Sequence, residues 1–247
     1  MVAILKTGPS GAVCPGKLFM QLRRSFLGVS ILLASVIAVA QGPTATAPKI
    51  EGIPGPLAWH NQPASYQIEN GALTIVSKPG QDWYVDAFDA GVIQSTPILA
   101  FDPGENFVLS AKVKVDFRSA WDAGSLMLWA DDTHWAKFAF ENSAAKSPAT
   151  PSMVSVVTRG TSDDTGSDSI GGDTVYMQVI RRGPAFVFNF SRDGKSWQIL
   201  RVFRLDAPGK VLVGFESQSP DGKGTKATFS EIRFEAKRVP NPFTGKD

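Results

Sequence analysis

Alternation of apolar and polar side chains with a period of two constrains this chain more than any other feature. In Ala136-Lys137-Phe138-Ala139-Phe140-Glu141, in Val175 to Arg181 and in Phe186-Val187-Phe188-Asn189-Phe190, every second side chain is apolar. That is the repeat of an extended strand, whose odd and even positions face opposite sides. Further strand-like segments are Tyr66 to Ile68, Leu73 to Val76, Ile93 to Leu99, Phe107 to Phe117, Ser125 to Trp129, Met153 to Thr158, Trp197 to Phe203, Val211 to Glu216 and Ala227 to Glu235. Between them stand turn dipeptides: Asn70-Gly71, Pro103-Gly104, Gly183-Pro184, Asp193-Gly194, Pro208-Gly209 and Asp221-Gly222. Each combines residues that tolerate or impose turn dihedrals. No stretch after Pro43 carries an amphipathic helical pattern. The segments predict an all-β, antiparallel two-sheet sandwich over residues 57–239, followed by a short tail at 240–247.

The first forty residues read differently. From Met20 the chain runs Gln21-Leu22-Arg23-Arg24, then an apolar stretch from Phe26 to Ala40 that ends in Ala38-Val39-Ala40. A basic start, an apolar run too short to cross about 30 Å of hydrocarbon and a small-x-small end make a secretory signal peptide. Cleavage after Ala40 is expected, with Met20 as the true start; an uncleaved anchor is the alternative. Gly11 to Gly16 with Lys17 imitates a phosphate-binding loop, but Leu18 stands where a magnesium-holding hydroxyl belongs. Loss of residues 1–40 removes Lys6, Lys17, Arg23, Arg24, Cys14 and no acid, leaving 21 basic and 23 acidic residues. The mature chain is then cysteine-free and periplasmic or extracellular, with no stable membrane span. Gln41 to Pro56, rich in Pro, Gly, Thr and Ala, reads as a linker.

Charge and reactive residues narrow the function. The whole chain carries 25 Lys plus Arg against 23 Asp plus Glu, a formal net charge of +2, which gives no electrostatic footprint for nucleic acid. One Cys and two His in the whole chain supply little for metal chemistry, and neither a cofactor nor a metal is expected. There is no Gly-x-Ser-x-Gly elbow and no His-Glu-x-x-His. His134, after Asp131-Asp132-Thr133, reads as a loop residue. Asp163, Asp164, Asp168 and Asp173 lack the alternate spacing of calcium loops and read as a solvated turn, with calcium as the alternative. Ser191-Arg192-Asp193-Gly194 with Trp197 reads as a hairpin tip. Asn142 to Ser152 and Gly160 to Asp173 are read as long surface loops, either bordering a site or merely solvated.

Several motifs together resemble a known family. They are Gln81-Asp82-Trp83, Trp121-Asp122-Ala123-Gly124-Ser125-Leu126-Met127-Leu128, Trp135 to Glu141, Ser155-Val156-Val157-Thr158-Arg159, Arg181-Arg182-Gly183, Ser191-Arg192-Asp193-Gly194 with Trp197, and Val213-Gly214. From about Trp59 to Phe234 the chain resembles the regulation-of-enolase-protein-1-like family of the concanavalin A-like lectin and glucanase superfamily. Trp121, Ala136 and Ala139 depart from the family pattern at packing positions. The resemblance implies a jelly-roll sandwich and no settled activity.

Strand parity then proposes a site. With Phe138 and Phe140 inward, Trp135, Lys137, Ala139 and Glu141 share the opposite face. Val154, Val156 and Thr158 are expected inward, with Ser155, Val157 and Arg159 outward. Phe186, Phe188 and Phe190 point in, so Asn189 points out, joined by Tyr176, Gln178 and Arg182. One solvated sheet face would thus present Trp129, Trp135, Lys137, Glu141, Arg159, Tyr176, Gln178 and Asn189. The resemblance implies that this face is concave and suits a polysaccharide or other glycan; aromatic rings stack on sugar C–H faces while amides and charges pair with hydroxyls. The plainer readings are rim packing for the two tryptophans, a surface ion pair for Lys137 with Glu141, and a counter-charge to the Asp-rich loop for Arg159. No Glu-x-Asp-x-Glu run supplies the paired carboxylates of a glucanase. The expectation is a non-catalytic exported carbohydrate-binding domain in which Trp135→Ala abolishes polysaccharide retention without unfolding. The alternatives are a glycoside hydrolase using Glu141 and an envelope domain that binds another protein.

Overall fold

The computed structural model describes residues 47–89, 91–145 and 147–243. Among them are sixteen strands and no helix. The strands are β1 (Ala58–His60), β2 (Ser65–Glu69), β3 (Ala72–Val76), β4 (Trp83–Val85), β5 (Val92–Gln94), β6 (Ile98–Phe101), β7 (Asn106–Val115) and β8 (Ala123–Asp131). They continue with β9 (His134–Ser143), β10 (Thr150–Arg159), β11 (Thr161–Ser169), β12 (Thr174–Arg182), β13 (Ala185–Ser191), β14 (Gln198–Arg204), β15 (Leu212–Gln218) and β16 (Lys226–Glu235). One sheet has the order β1-β6-β15-β8-β9-β10-β11 and the other β14-β13-β12-β7-β16-β3-β2; β4 and β5 form a separate two-stranded ribbon. Every pairing is antiparallel. The predicted two-sheet sandwich is the observed architecture.

The core lies between the two large sheets. Leu126, Leu128, Ala136, Phe138 and Phe140 from the first meet Leu109, Val113, Met177, Val179, Phe186 and Phe188 from the second. Phe138 stacks on Phe188 across the layers with centroids 4.7 Å apart and planes 8° from parallel. Burial of each such ring contributes roughly 1.5–3 kcal/mol. Asn70 and Gly71, with φ of 50° and 74°, close the β2–β3 hairpin, as an Asn-Gly pair in the left-handed region does. At Gly214 the absence of a side chain is what lets β15 approach β6: a Cβ there would lie 2.6 Å from the Leu99 carbonyl oxygen.

A second apolar cluster covers the outward face of the first sheet. It contains Trp83 and Val85 from β4 together with Ile98, Met127, Trp135, Ala139, Val154 and Val156 from the sheet. The β4–β5 ribbon therefore acts as a cover, so the central strands β8, β9 and β10 are buried on both sides. This explains one correction. Ser155 pairs with Phe138 and Val157 with Ala136, while Val154 and Val156 pair with Ala139 and Lys137. Met153 and Val157 thus enter the main core, and Val154, Val156 and Thr158 face outward, the reverse of the expected parity. When both sides of a strand are apolar, alternation gives no sign to choose between them.

Three other expectations change. Gly160 to Asp173 is mostly strand, not loop: β11 pairs with β10 along its length, and only Ser162 of its residues is buried. An outermost strand open on one side needs no apolar alternation. Ile93 to Leu99 is divided between two strands, β5 ending at Gln94 and β6 beginning at Ile98, directly after Pro97, a residue that cannot donate to a ladder. The segment 47–56 is not a free linker, because Ile50 is buried in the core and Ile53 packs against it. The expected signal peptide, its cleavage point and the first residues of the linker lie outside the described residues.

Candidate functional site

Lys137 sits mid-strand in β9, facing the cover between Met127 of β8 and Val156 of β10. Its side chain is 3% exposed. An ammonium in such a place needs partners. Its Nζ donates to Asp82 Oδ1 at 2.9 Å and to Gln218 Oε1 at 2.6 Å. Gln218, the last residue of β15, in turn donates through Nε2 to the Trp121 carbonyl at 2.9 Å and to Glu141 Oε2 at 3.5 Å. A second strand, β15, and the segment leading into the cover thereby converge on one lysine.

Three carboxyls surround that lysine. Burial works against the Lys137 charge, but Asp82, Glu216 and Glu141 outweigh it and hold its proton more firmly than usual. Glu141 is pushed up to about 7, chiefly by burial, with Lys137 opposing. Its Oε1 has no well-aligned hydrogen-bond partner. Glu216, fully buried and flanked by the Ser125 and Thr96 hydroxyls, is also raised by desolvation, again opposed by Lys137.

This arrangement has a pH signature. Native Glu141 holds its proton to about 7, whereas an unperturbed glutamate releases it at 4.5. Between those values the folded state binds more protons than the unfolded chain, so stability falls as pH rises through the window. The contribution is on the order of 3 kcal/mol, and Glu216 adds to it with the same sign. Denaturant unfolding should therefore give lower stability at pH 7.5 than at pH 5, and Glu141→Gln should flatten that slope.

Beside Lys137 and Glu141 opens a cleft of about 570 Å³. Lys137, Glu141 and Gln218 form its floor, and Tyr84, Trp121 and Asp164 stand in its walls. Trp121 is held in the left-handed region, with φ of 63°, a conformation that costs of order 1–3 kcal/mol in a non-glycine residue. The surrounding turn supports it: Asp122 accepts from the backbone N–H groups of Arg118 and Ser119, both at 2.9 Å, and from the Ser219 hydroxyl at 2.6 Å. Among the described residues, no three His, Cys, Asp or Glu side chains are grouped to hold a metal ion.

A family model described as "Protein of unknown function (DUF1349)" matches residues 59–237. The chain belongs to this family. Regulation of enolase protein 1 of Saccharomyces cerevisiae is 27% identical over 176 residues, spanning 70% of this chain and 86% of that protein. A solved structure of a functionally unknown protein from Saccharomyces cerevisiae is 26% identical with a TM-score of 0.68, covering 74% of this chain and 97% of that one. The GH43 protein BlXynB of Bacillus licheniformis superposes with a TM-score of 0.56 at 13% identity, over 71% of this chain and 36% of that one. The last likeness is one of fold alone.

In this DUF1349 sandwich the eight expected site residues do not share a surface. Lys137 and Glu141 reach the cleft. Trp135 is fully buried, edge-on to Trp83 with centroids 6.3 Å apart, so it cannot stack on a ligand. Trp129 is half-buried, 4.7 Å from the His60 ring. Tyr176, Gln178 and Asn189 belong to β12 and β13 and lie on the outward face of the other sheet. There Asn189 donates to Gln178 at 3.0 Å, and Tyr176 donates to Glu231 at 3.2 Å beside a separate hollow of about 440 Å³. Arg159, at the end of β10, hydrogen-bonds to the Arg204 carbonyl. Nor is Lys137 the surface partner of Glu141; its salt bridge is to Asp82. The Asp-rich stretch diverges: Asp163 pairs with Arg201 at 2.7 Å, Asp164 faces the cleft and Asp173 lies 3.3 Å from Lys114.

Asp82, Tyr84, Trp121, Glu216 and Gln218 are the residues that strand parity missed. Two signals pointed toward some of them. Gln81-Asp82-Trp83 and Trp121-Asp122 are among the motifs that carry the family resemblance, and neither has a role in a bare two-sheet core.

Proposed function

We propose that this DUF1349 protein is an exported, non-catalytic carbohydrate-binding domain whose site is the cleft under the β4–β5 cover. The observation that carries this reading is the pairing of a rigid polar floor with aromatic walls. Lys137, Gln218 and Glu141 are held in place by one another, while Tyr84 and Trp121 are partly exposed at the opening. A pyranose needs both elements, since its C–H face stacks on aromatic rings and its hydroxyls pair with fixed amide, carboxyl and ammonium groups. The cleft volume lies in the range of small-ligand pockets. Export rests on the signal-peptide pattern of residues 20–40 and is checked by whether the mature protein begins at Gln41.

A second reading is favoured by one observation. Glu141 keeps a proton near neutral pH, the property a general acid needs for glycoside hydrolysis. One set of measurements separates the readings. Retention on immobilised polysaccharides should fall at least tenfold in Tyr84→Ala and Trp121→Ala variants whose circular dichroism is unchanged. Binding by the unaltered protein should release no reducing sugar. Sugar release that disappears in Glu141→Gln would establish the hydrolase. No retention on any polysaccharide would overturn both readings and favour a protein partner.

A further inference from the structure

The hollow of about 440 Å³ on the outward face of the other sheet has a floor built in register by three strands. Arg233 of β16 pairs with Ser110 of β7, and Ser110 with Gln178 of β12. Residues directly opposite one another share a face, so these side chains form a row roughly 10 Å long. Gln178 is only 7% exposed. Its Oε1 accepts from Asn189 at 3.0 Å, and the Nε2 left over at the floor of the hollow has no partner among the described residues. The Ser110 hydroxyl, the Arg233 guanidinium and the Lys195 ammonium on the wall are likewise unpartnered among them.

The acids that line the hollow are already engaged. Asp193 accepts from the backbone N–H groups of Lys195 and Ser196 at 2.8 and 2.7 Å, Glu231 pairs with Lys112 at 3.4 Å and Glu235 with Lys237 at 2.8 Å. Donors are therefore free where acceptors are spent. Of the two aromatic rings, Tyr176 is covered by the turn at Gly194, where a Cβ would come within 3.0 Å of it. Trp197, half-buried and in contact with no other aromatic ring among the described residues, is the ring left to meet a ligand. We propose that this hollow is a second ligand site, distinct from the cleft, which takes a uronate sugar. Arg233 grips the carboxylate, the geometry in which guanidinium binds most strongly. Ser110 and Gln178 donate to the neighbouring oxygens, and the C–H face of the ring lies on Trp197. The site stands or falls without the cleft, since the two share no lining residue.

Calorimetric titration of the full chain at pH 7 and moderate salt tests this with three probes: trigalacturonate, its methyl ester and acetate. The trimer should bind at least tenfold more tightly than the ester, which keeps the rings and loses the charge, and acetate should give no heat. Arg233→Gln should bring the trimer down to the ester's affinity. Gln178→Leu, with circular dichroism unchanged, should weaken the trimer at least fivefold. Lys49→Gln removes an exposed charge that lines neither hollow nor cleft and should change nothing beyond threefold. Equal affinities for acid and ester would overturn carboxylate recognition, and acetate binding as tightly as the trimer would overturn the assignment to a sugar. A loss in Lys49→Gln as large as that in Arg233→Gln would overturn the site as attraction to the general surface. Trimer binding that survives both Arg233→Gln and Gln178→Leu but disappears in Tyr84→Ala would move the ligand to the cleft, overturning the second site and leaving the carbohydrate reading intact. Silence with all three probes would overturn the second site alone.

Discussion

Lys137→Met should cost about 3–5 kcal/mol of folding stability, the loss expected when one member of a buried ion pair is removed and the other is left behind. Methionine fits the lysine's volume and apolar stem, so packing survives and the effect is electrostatic. Asp82, Glu141 and Glu216 then share a site with no counter-charge, where Asp82 now pairs at 2.9 Å and the two glutamates already resist ionisation. In a domain of this size the melting temperature should fall by roughly 6–20 °C. The loss should shrink at acidic pH, where protonated carboxyls no longer need the ammonium. Adding Asp82→Asn and Glu141→Gln to the same chain should recover most of the stability, and scanning calorimetry on both variants and the unaltered protein checks both statements. A lysine that served only as a ligand contact would give a normal melting curve.

Trp135→Ala should be nearly as damaging, at about 3–5 kcal/mol, for a different reason. The ring is fully buried between β9 and the ribbon above it, edge-on to Trp83, and its removal opens a cavity under the cover. The Nε1–H has no partner, so no hydrogen bond is lost with it. Parity alone led to the expectation that this substitution abolishes polysaccharide retention in a folded protein. Burial reverses that expectation: the variant should unfold at lower denaturant concentration, and whatever fraction stays folded should bind as the unaltered protein does. Urea titration followed by retention measured below the transition distinguishes the two outcomes.

The architecture was legible because antiparallel strands with one covered face write their orientation into the order of residues. Phe186, Phe188 and Phe190 are all core residues, as their spacing indicates, and Trp135, Lys137 and Glu141 do share a face. What could not be read was what lies above that face. A strand records which side chains point together but not which sheet it joins or what covers it, so Tyr176, Gln178 and Asn189 were placed beside Lys137 although they belong to the opposite layer. The cover itself is short: β4 and β5 are three residues each, below the length at which alternation is recognisable. Likewise β11 carries Ser, Asp, Thr and Gly along an open edge, and a polar edge strand cannot be told from a loop by periodicity.

The ribbon over the outer face supplies a carboxylate to a lysine it does not share a strand with, and that has a bearing on how the piece finds its seat. Slid along by two residues, which keeps its apolar side toward the sheet, it would present Gly80 or Tyr84 to the ammonium in place of Asp82. Hydrophobic contact alone would tolerate such a slip, because Trp83 and Val85 are both greasy enough to adhere anywhere on the patch below. A buried cation left without its anion would not tolerate it. The lysine thus works as a keyway: it admits one alignment of the overlying segment and rejects its neighbours, giving an otherwise slippery contact a single registered position.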